Sequence, residues 1–273
     1  MKILEKQVLS DYQGTRVVRI KVFAPHVASR ALPGQFIALM VSEVGERIPL
    51  TVVDKDKESI VLIFQEAGLT TRLLGKLNVG DSLYAIAGPL GHPTHIKNYG
   101  KVILVGGGVG IAEIYPVARA FKEAGNHVTS ILGARTKELL ILEKELASVS
   151  NETIVLTDDG SYSRKGFTTD ALNELLSKEK YDLVYSVGPI PMMRRVADVT
   201  KNYNTFTLVS LNAIMVDATG MCGCCRVTVD GKTKFSCVDG PEFEAHAVDW
   251  DELTKRNRVY EQKEKHICNL NKV

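Results

Sequence analysis

The sequence predicts a protein of mixed β and α/β class: an antiparallel β-barrel, a doubly wound parallel sheet and a small C-terminal cysteine module. Short β-branched runs broken by Gly and Pro fill the first hundred residues and are typical of a barrel. Strand and helix patterns then alternate, which predicts a parallel sheet. Four of the five cysteines fall between Leu211 and Pro241. We place the domain boundaries at 1–98, 99–210 and 211–273.

The composition excludes several classes of protein. A chain of 273 residues, 45% hydrophobic and 24% charged, is ordinary for a globular protein. A net charge of +2 without a dense basic run gives no argument for a nucleic-acid partner. The sequence contains no run of about eighteen apolar residues, so it predicts no membrane span. An odd number of cysteines, with four of the five clustered, argues against a disulfide framework and for a reducing compartment, so we expect a cytoplasmic protein.

The cysteine module is spaced like an iron–sulfur site. A plant-type [2Fe–2S] site needs C-x4-C-x2-C followed by a distant cysteine. Here Cys222, Cys225 and Cys237 match the last three positions, and Asp217 occupies the first. A carboxylate can ligate ferric iron, so these four residues are the predicted ligands and Cys224 is not one. A zinc site built on three cysteines and a set of buried free thiols are the alternatives.

Two segments of the predicted barrel suit a phosphate-bearing ligand. In Arg47-Ile48-Pro49-Leu50-Thr51, the guanidinium can bind phosphate oxygens bidentately and Thr51 adds a hydroxyl. Gly68-Leu69-Thr70-Thr71 opens a short helix whose free N–H groups and hydroxyl caps form an anion site. A solvated surface arginine and a plain helix cap are the alternatives.

The run KVILVGGGVGIAE at 101–113 predicts a strand, a Gly-rich turn and a helix. Such a turn lets the backbone approach a pyrophosphate, and parallel sheets bind ligands beyond the carboxyl ends of their strands. The predicted dinucleotide site therefore comprises Gly106, Gly107, Gly108, Val109, Gly110, Ile111, Arg135, Asp158, Gly188 and Pro189. A Gly-rich turn without a ligand is the alternative. Arg135 suits a 2′-phosphate or a plain ribose, which leaves NAD and NADP both open.

Together these motifs resemble ferredoxin reductase-like electron-transfer subunits over essentially the whole chain. MCGCCRVTVDGKTKFSC followed by VDGPEF is similar to their cluster module, and the order of the Arg47 and Gly68 segments is similar to their flavin-binding barrel. SVGPIPMM at 186–193 resembles their nicotinamide-side segment. The group includes the electron-transfer subunit of dihydroorotate dehydrogenase and the small subunit of NADH-dependent reduced ferredoxin:NADP oxidoreductase (sulfide dehydrogenase-like). An Asp ligand is expected in the second, so Asp217 favours it.

The resemblance implies FAD, a [2Fe–2S] cluster and NAD(H) or NADP(H) as cofactors, and of the two dinucleotides it favours NAD(H) on this subunit. Further implied contacts are Pro49, Leu50, Ile63, Phe64 and Gln65 at the flavin and Met192 at the nicotinamide. An aromatic residue is usual where this chain has Pro49-Leu50. The implied activity is that of an oxidoreductase subunit, which exchanges hydride between NAD(H) and FAD and passes electrons through the cluster.

No acid–base pair or nucleophile for another reaction stands out, which places the substrate-converting site on a larger flavin- and iron–sulfur-bearing partner in a heterodimer. The chain would exchange electrons with ferredoxin only indirectly. The sequence does not decide whether the complex carries out electron bifurcation. A non-redox, zinc-stabilised nucleotide-binding regulator is the alternative of a different class. In the tail, Asp249-Trp250-Asp251 predicts the cap of a short helix carrying Leu253. Cys268 lies outside the cluster spacing and is expected to be a structural or surface thiol.

Overall fold

The structure, a computed structural model, describes residues 1–270, apart from the side chains of Lys265 and of residues 268–270. The expectation for Cys268 therefore lies outside the described side chains. The chain forms two compact units. The first contains Met1–His92, Asn212–Pro241 and the chain from Asp249, and the second contains Pro93–Leu211 and Glu242–Val248.

The strands, in chain order, are β1 (Ile3–Tyr12), β2 (Thr15–Phe23), β3 (Phe36–Met40), β4 (Arg47–Thr51), β5 (Asp54–Lys55), β6 (Ser59–Gln65), β7 (Ala85–Leu90), β8 (Lys101–Gly107), β9 (His127–Ala134), β10 (Glu152–Thr157), β11 (Arg164–Lys165), β12 (Leu183–Val187), β13 (Thr207–Ser210), β14 (Arg226–Val229), β15 (Lys232–Phe235) and β16 (Glu242–Glu244). The helices are α1 (Pro25–Ala28), α2 (Leu69–Lys76), α3 (Gly110–Glu123), α4 (Glu143–Val149), α5 (Thr168–Lys178), α6 (Ile190–Asn202), α7 (Trp250–Asn257) and α8 (Glu261–Leu270). Among the described residues, no helix combines the length and apolar character that crossing a membrane requires.

The first unit contains the predicted antiparallel β structure. One sheet has the order β1-β2-β6-β5 and the other the order β4-β3-β7. Side chains alternate between the two faces of each strand, and the inward-facing ones on β6, Ile60, Leu62 and Phe64, belong to one apolar core. The two sheets enclose this core, which agrees with the predicted barrel-like domain.

The second unit contains the predicted doubly wound sheet, with strand order β11-β10-β9-β8-β12-β13-β16. The pairs from β11 to β13 are parallel, and β16 runs antiparallel to β13. Because β9 and β10 continue on one side of β8 while β12 and β13 lie on the other, the strand order reverses between β8 and β12. Ligands of open α/β sheets bind at such a reversal.

The segment after the cysteines divides between the two units. Strand β16 pairs with Leu208–Ser210 of β13 and so extends the α/β sheet. The hairpin of β14 and β15 carries Cys237 just beyond its second strand. Helix α7 follows, and the carboxylate of its N-cap residue, Asp249, accepts hydrogen bonds from Asp251 N at 3.1 Å and Glu252 N at 2.9 Å. This helix carries Leu253, as the sequence predicts, and the Leu253 side chain is buried.

Candidate functional site

The Gly-rich loop joins β8 to α3 at the point where the strand order reverses. Gly108 has φ +58° and donates its N–H to Gly133 O on β9 at 2.9 Å. A Cβ added to Gly108 would meet no protein atom within 4 Å, so the backbone faces open space there. A Cβ on Gly110 would instead lie 2.7 Å from Val187 C and 3.0 Å from Gly188 Cα. The absence of a side chain at Gly110 thus lets the start of α3 pack directly on the end of β12.

The end of β12 completes this region. A Cβ on Gly107 would lie 3.2 Å from Met192 Cε and 3.4 Å from Pro189 Cδ, so the Met192 thioether covers the loop. Ser186, fully buried on β12, has a hydroxyl without a hydrogen-bond partner among the described residues. Orphaned polar atoms of this kind are places where a ligand or water can supply the missing bond. The open backbone at Gly108 and the Ser186 hydroxyl both fit a bound dinucleotide.

Two of the predicted dinucleotide residues have other surroundings. Ile111 is fully buried, and its Cα lies close to Gly106, so its side chain serves the core. Val109 is half-buried between Gly108 and the start of α3. Any ligand contact from Ile111 would therefore come through its backbone. Arg135 and Asp158 are exposed at the carboxyl ends of β9 and β10.

Strand β4 lies at the edge of its sheet and presents alternate side chains to two faces. Ile48 and Leu50 pack against the apolar core. Arg47, Pro49 and Thr51 therefore share the opposite face, where Arg47 is exposed. These three predicted flavin contacts therefore lie on the same face of β4, whereas the Leu50 side chain packs against the core.

The same alternation separates the predicted contacts on β6. Phe64 is 2% exposed and belongs to the core, whereas Ile63 and Gln65 occupy the other face of the strand. A cofactor on that outer face would reach the side chains of Ile63 and Gln65 and only the backbone of Phe64.

The start of α2 already carries an anionic group. Thr71 Oγ1 accepts hydrogen bonds from Ala67 N and Gly68 N, both at 3.0 Å. The Thr70 hydroxyl donates to Glu46 Oε2 at 2.8 Å, so a carboxylate stands where an anion site was predicted. A Cβ on Gly68 would meet nothing within 4 Å, which leaves room above the turn. A phosphate group at this turn would have to displace the Glu46 carboxylate from the Thr70 hydroxyl. Sequence reasoning missed Glu46, because an exposed turn glutamate matches no motif.

The predicted cluster ligands lie in two pairs. Cys225 and Cys237 are buried, with Sγ atoms 3.1 Å apart, farther than a disulfide bond allows. Asp217 accepts a hydrogen bond from Thr219 N at 2.9 Å and one from Cys222 N at 3.0 Å, which ties it to the exposed Cys222. These hydrogen bonds, that from Thr219 foremost, lower the pKa of Asp217. Burial, then the neighbouring Cys225, raises the pKa of the Cys237 thiol.

This arrangement fits a binuclear cluster, in which each iron takes two protein ligands. A single zinc ion would need three or four ligands around one point. No three His, Cys, Asp or Glu side chains of the described residues are grouped closely enough for that. The structure also places Cys224 near the site, because its N–H donates to Cys222 Sγ at 3.5 Å. Arg256 on α7 donates to Cys224 O at 3.0 Å and so supports the loop.

A buried polar cluster in the second unit has no counterpart in the sequence analysis. Tyr185, 2% exposed on β12, donates its hydroxyl to Glu242 Oε1 on β16 at 2.8 Å. Thr94 donates to the same oxygen. Burial raises the pKa of Glu242, and the two hydroxyl donors only partly offset it. Burial also raises the pKa of Tyr185, with contributions from the charges of Glu242 and Glu113.

An antiparallel barrel-like domain, a doubly wound sheet with a Gly-rich loop at its reversal point, and a thiol-rich module together define a ferredoxin reductase-like oxidoreductase. Comparison with known proteins agrees. Residues 104–198 match the oxidoreductase NAD-binding domain. Residues 212–249 match the iron–sulfur cluster binding domain of dihydroorotate dehydrogenase B.

Similarity to individual proteins indicates the family of this chain within that class. The chain is 49% identical over 246 residues to a dihydroorotate dehydrogenase B (NAD(+)) electron transfer subunit homolog of Thermotoga maritima, covering 89% of this chain and 87% of that protein. It is 45% identical, with a TM-score of 0.91, to a chain of the NADH-dependent reduced ferredoxin-NADP oxidoreductase structure, covering 97% of this chain and 95% of that one. The cytochrome P450 reductase GcoB of Amycolatopsis, at 24% identity and a TM-score of 0.62 over 74% of this chain and 65% of that one, shares the fold.

The chain belongs to the family of dihydroorotate dehydrogenase B electron transfer subunits and their homologues. The predicted resemblance and the oxidoreductase class are confirmed. The prediction of nicotinamide and iron–sulfur binding domains is also confirmed, and FAD fits the ferredoxin reductase fold.

Proposed function

We propose that this chain is the small electron-transfer subunit of a complex like the NADH-dependent reduced ferredoxin-NADP oxidoreductase. It would exchange hydride between NAD(H) and FAD and pass electrons through a [2Fe–2S] cluster to or from a larger partner subunit. The observation that carries the proposal is the pairing of Cys225 with Cys237 and of Asp217 with Cys222, in a chain that also has a nicotinamide-binding domain. Asp217 favours this complex over a dihydroorotate dehydrogenase.

Residues on three surfaces would hold the cofactors. Arg47 and Thr51 share the outer face of β4, and the N-terminal end of α2 would face the flavin pyrophosphate. The N-terminal end of α3 and the open backbone at Gly108 would orient the dinucleotide. Bound flavin supplies the link between two-electron hydride chemistry and one-electron cluster chemistry.

The cysteine loop has the surface expected of a docking region. Met221 is 88% exposed, and Val216 and Val238 are 49% and 41% exposed beside the proposed ligands. Exposed apolar groups clustered in this way mark interaction sites on soluble proteins. They support a partner subunit that covers the loop and exchanges electrons with the cluster.

The proposal is tested on protein purified without oxygen. Acid release and chromatography of the chromophore should yield FAD, because the dinucleotide form alone has a pyrophosphate for Arg47 and the α2 turn. Chemical analysis should find two iron atoms and two sulfides per chain, and NADH should bleach the flavin absorbance. A colourless, zinc-containing protein would instead establish the non-redox regulator, and recovery of FMN alone would refute the assignment of FAD.

Co-purification from the native source tests the partner. The expected companion is a larger flavin- and iron–sulfur-bearing chain, and the complex should couple NADH to NADP and ferredoxin. If the companion instead oxidises dihydroorotate, the alternative assignment as a dihydroorotate dehydrogenase subunit is correct.

A further inference from the structure

The loop between the first two proposed cysteine ligands consists of Gly223 and Cys224, and an arginine side chain binds the carbonyl of each. Arg226, the exposed first residue of β14, donates from Nη1 to Gly223 O at 3.0 Å. Arg256, on α7, donates from Nη2 to Cys224 O at 3.0 Å. Two guanidinium groups from different elements therefore hold two successive peptide groups of the ligand loop.

The first of these peptide groups also contacts a proposed ligand. The Cys224 N–H belongs to the same peptide group as the Gly223 carbonyl, and it donates to Cys222 Sγ at 3.5 Å. Arg226 therefore binds one end of a peptide group whose other end points at a ligand sulfur. A donor on the carbonyl polarises the peptide group and strengthens the hydrogen bond from its N–H. Hydrogen bonds to the sulfurs are one of the factors that set the potential of an iron–sulfur cluster.

Arg256 brings a second positive charge to the loop. Its side chain is half-buried near the C-terminal end of α7. Burial raises the pKa of the Cys224 thiol, and the charge of Arg256 opposes that rise. The guanidinium therefore acts electrostatically on the loop as well as through its hydrogen bond. Arginine stays protonated in proteins, so this charge is permanent.

Helix α7 is fixed to the cysteine segment at both of its ends. Next to its start, Asp249 N donates to Thr228 O on β14 at 2.9 Å. At its end, Asn257 Nδ2 donates to Asn212 O at 3.0 Å. Asn257 thus makes the same kind of contact as its neighbour Arg256, from a side chain to a backbone carbonyl of the segment, but without a charge.

Positive charge at this loop bears directly on electron transfer. The proposed ligands are one carboxylate and three thiolates, and all four are anionic when they bind iron. Reduction adds an electron to this anionic group and makes it more negative. A fixed positive charge nearby stabilises the reduced form more than the oxidised form, because the Coulomb attraction grows with the charge of the cluster.

We propose that Arg226 and Arg256 raise the reduction potential of the cluster by holding fixed positive charge against its ligand loop. The assignment rests on the proposed [2Fe–2S] function and names the residues that tune it. Neither arginine is a ligand, and both are positioning residues that act through the two peptide groups between the ligands. A higher potential makes the cluster a better acceptor of electrons that leave the flavin.

The test is an anaerobic redox titration of the full chain with its cofactors bound, followed by the electron paramagnetic resonance signal of the reduced cluster. Arg226→Gln and Arg256→Gln remove the charge, whereas Arg226→Lys and Arg256→Lys keep it. Each Gln variant should shift the equilibrium about threefold or more toward the oxidised cluster, a fall of about 28 mV in a one-electron midpoint potential. Each Lys variant should stay closer to wild type than the matching Gln variant.

Asn257→Ala is the matched control, because it removes a neutral contact of the same length between the same helix and the same segment. It should lower Tm and leave the midpoint potential of the cluster unchanged.

Each arginine is judged on its own pair of variants. A Gln variant with the midpoint potential of the control, a Lys variant that falls as far as the Gln variant, or a Gln variant that loses its iron would overturn the proposal for that arginine. A wild type that gives no reduced [2Fe–2S] signal would instead refute the proposed function.

Discussion

Replacing Gly108 by alanine should weaken dinucleotide binding, while it costs the fold no more than the same change at a glycine turn without a ligand. Gly108 has φ +58°, and a Cβ there would meet no protein atom within 4 Å. The cost to the protein is therefore the left-handed conformation of an alanine, about 1–2 kcal/mol. The new methyl group would stand in the space that a pyrophosphate needs. Loss of backbone hydrogen bonds to a charged phosphate costs about 1.5–3 kcal/mol, a rise of roughly 10–100-fold in Kd.

Gly231, at the turn of the β14–β15 hairpin, supplies a matched control. It has φ +68°, and a Cβ there also meets nothing within 4 Å. Gly108→Ala and Gly231→Ala should lower Tm by similar amounts in thermal unfolding followed by circular dichroism. In calorimetry, only Gly108→Ala should raise the Kd for NAD⁺. If its Kd stays within about twofold of the control's, well short of the loss of one charged hydrogen bond, the loop does not bind the pyrophosphate.

Two other predictions concern the thiol module and the buried carboxyl group. Each single variant of a proposed ligand should lose most of its iron and the spectrum of the reduced cluster. These variants are Asp217→Ala, Cys222→Ser, Cys225→Ser and Cys237→Ser. Cys224→Ser should keep both the iron content and the spectrum of the reduced cluster. If Cys224→Ser abolishes the cluster and Asp217→Ala retains it, the ligand set must be reassigned. Burial raises the pKa of Glu242 in the folded state above its pKa in the unfolded state. The contribution of Glu242 to the free energy of unfolding is therefore complete below the unfolded-state pKa and is lost as pH rises through the folded-state pKa. Glu242→Gln keeps an oxygen for Tyr185 and Thr94 and does not titrate. In denaturant unfolding, its stability should therefore rise relative to wild type as pH increases above the ordinary carboxyl range, by about 1.4 kcal/mol per unit of pKa shift. A difference that stays constant with pH would refute this account.

The features that sequence determined are the local ones. The Gly-rich loop follows a strand and opens a helix, and each step is visible in a window of about a dozen residues. The Asp249 cap of α7 depends on N–H groups two and three residues ahead. The spacing of Cys222 and Cys225 likewise depends on one loop. Such signals survive in a single sequence because short-range geometry dictates the residue type.

Tertiary structure alone decided which side chains face which surface and which distant groups meet. Glu242–Glu244 is too short and too charged to predict a strand, and it becomes one by pairing with β13, more than thirty positions earlier. Leu50 and Phe64 lie in motifs that suggest flavin contact, yet strand register turns both into the core. The Glu46–Thr70 and Tyr185–Glu242 hydrogen bonds, and the proximity of Arg135 to Asp158, arise because the fold brings together strands and turns that are distant in the sequence. Sheet pairing sets those positions through long-range hydrogen bonds and apolar packing, which leave no periodic pattern along the chain.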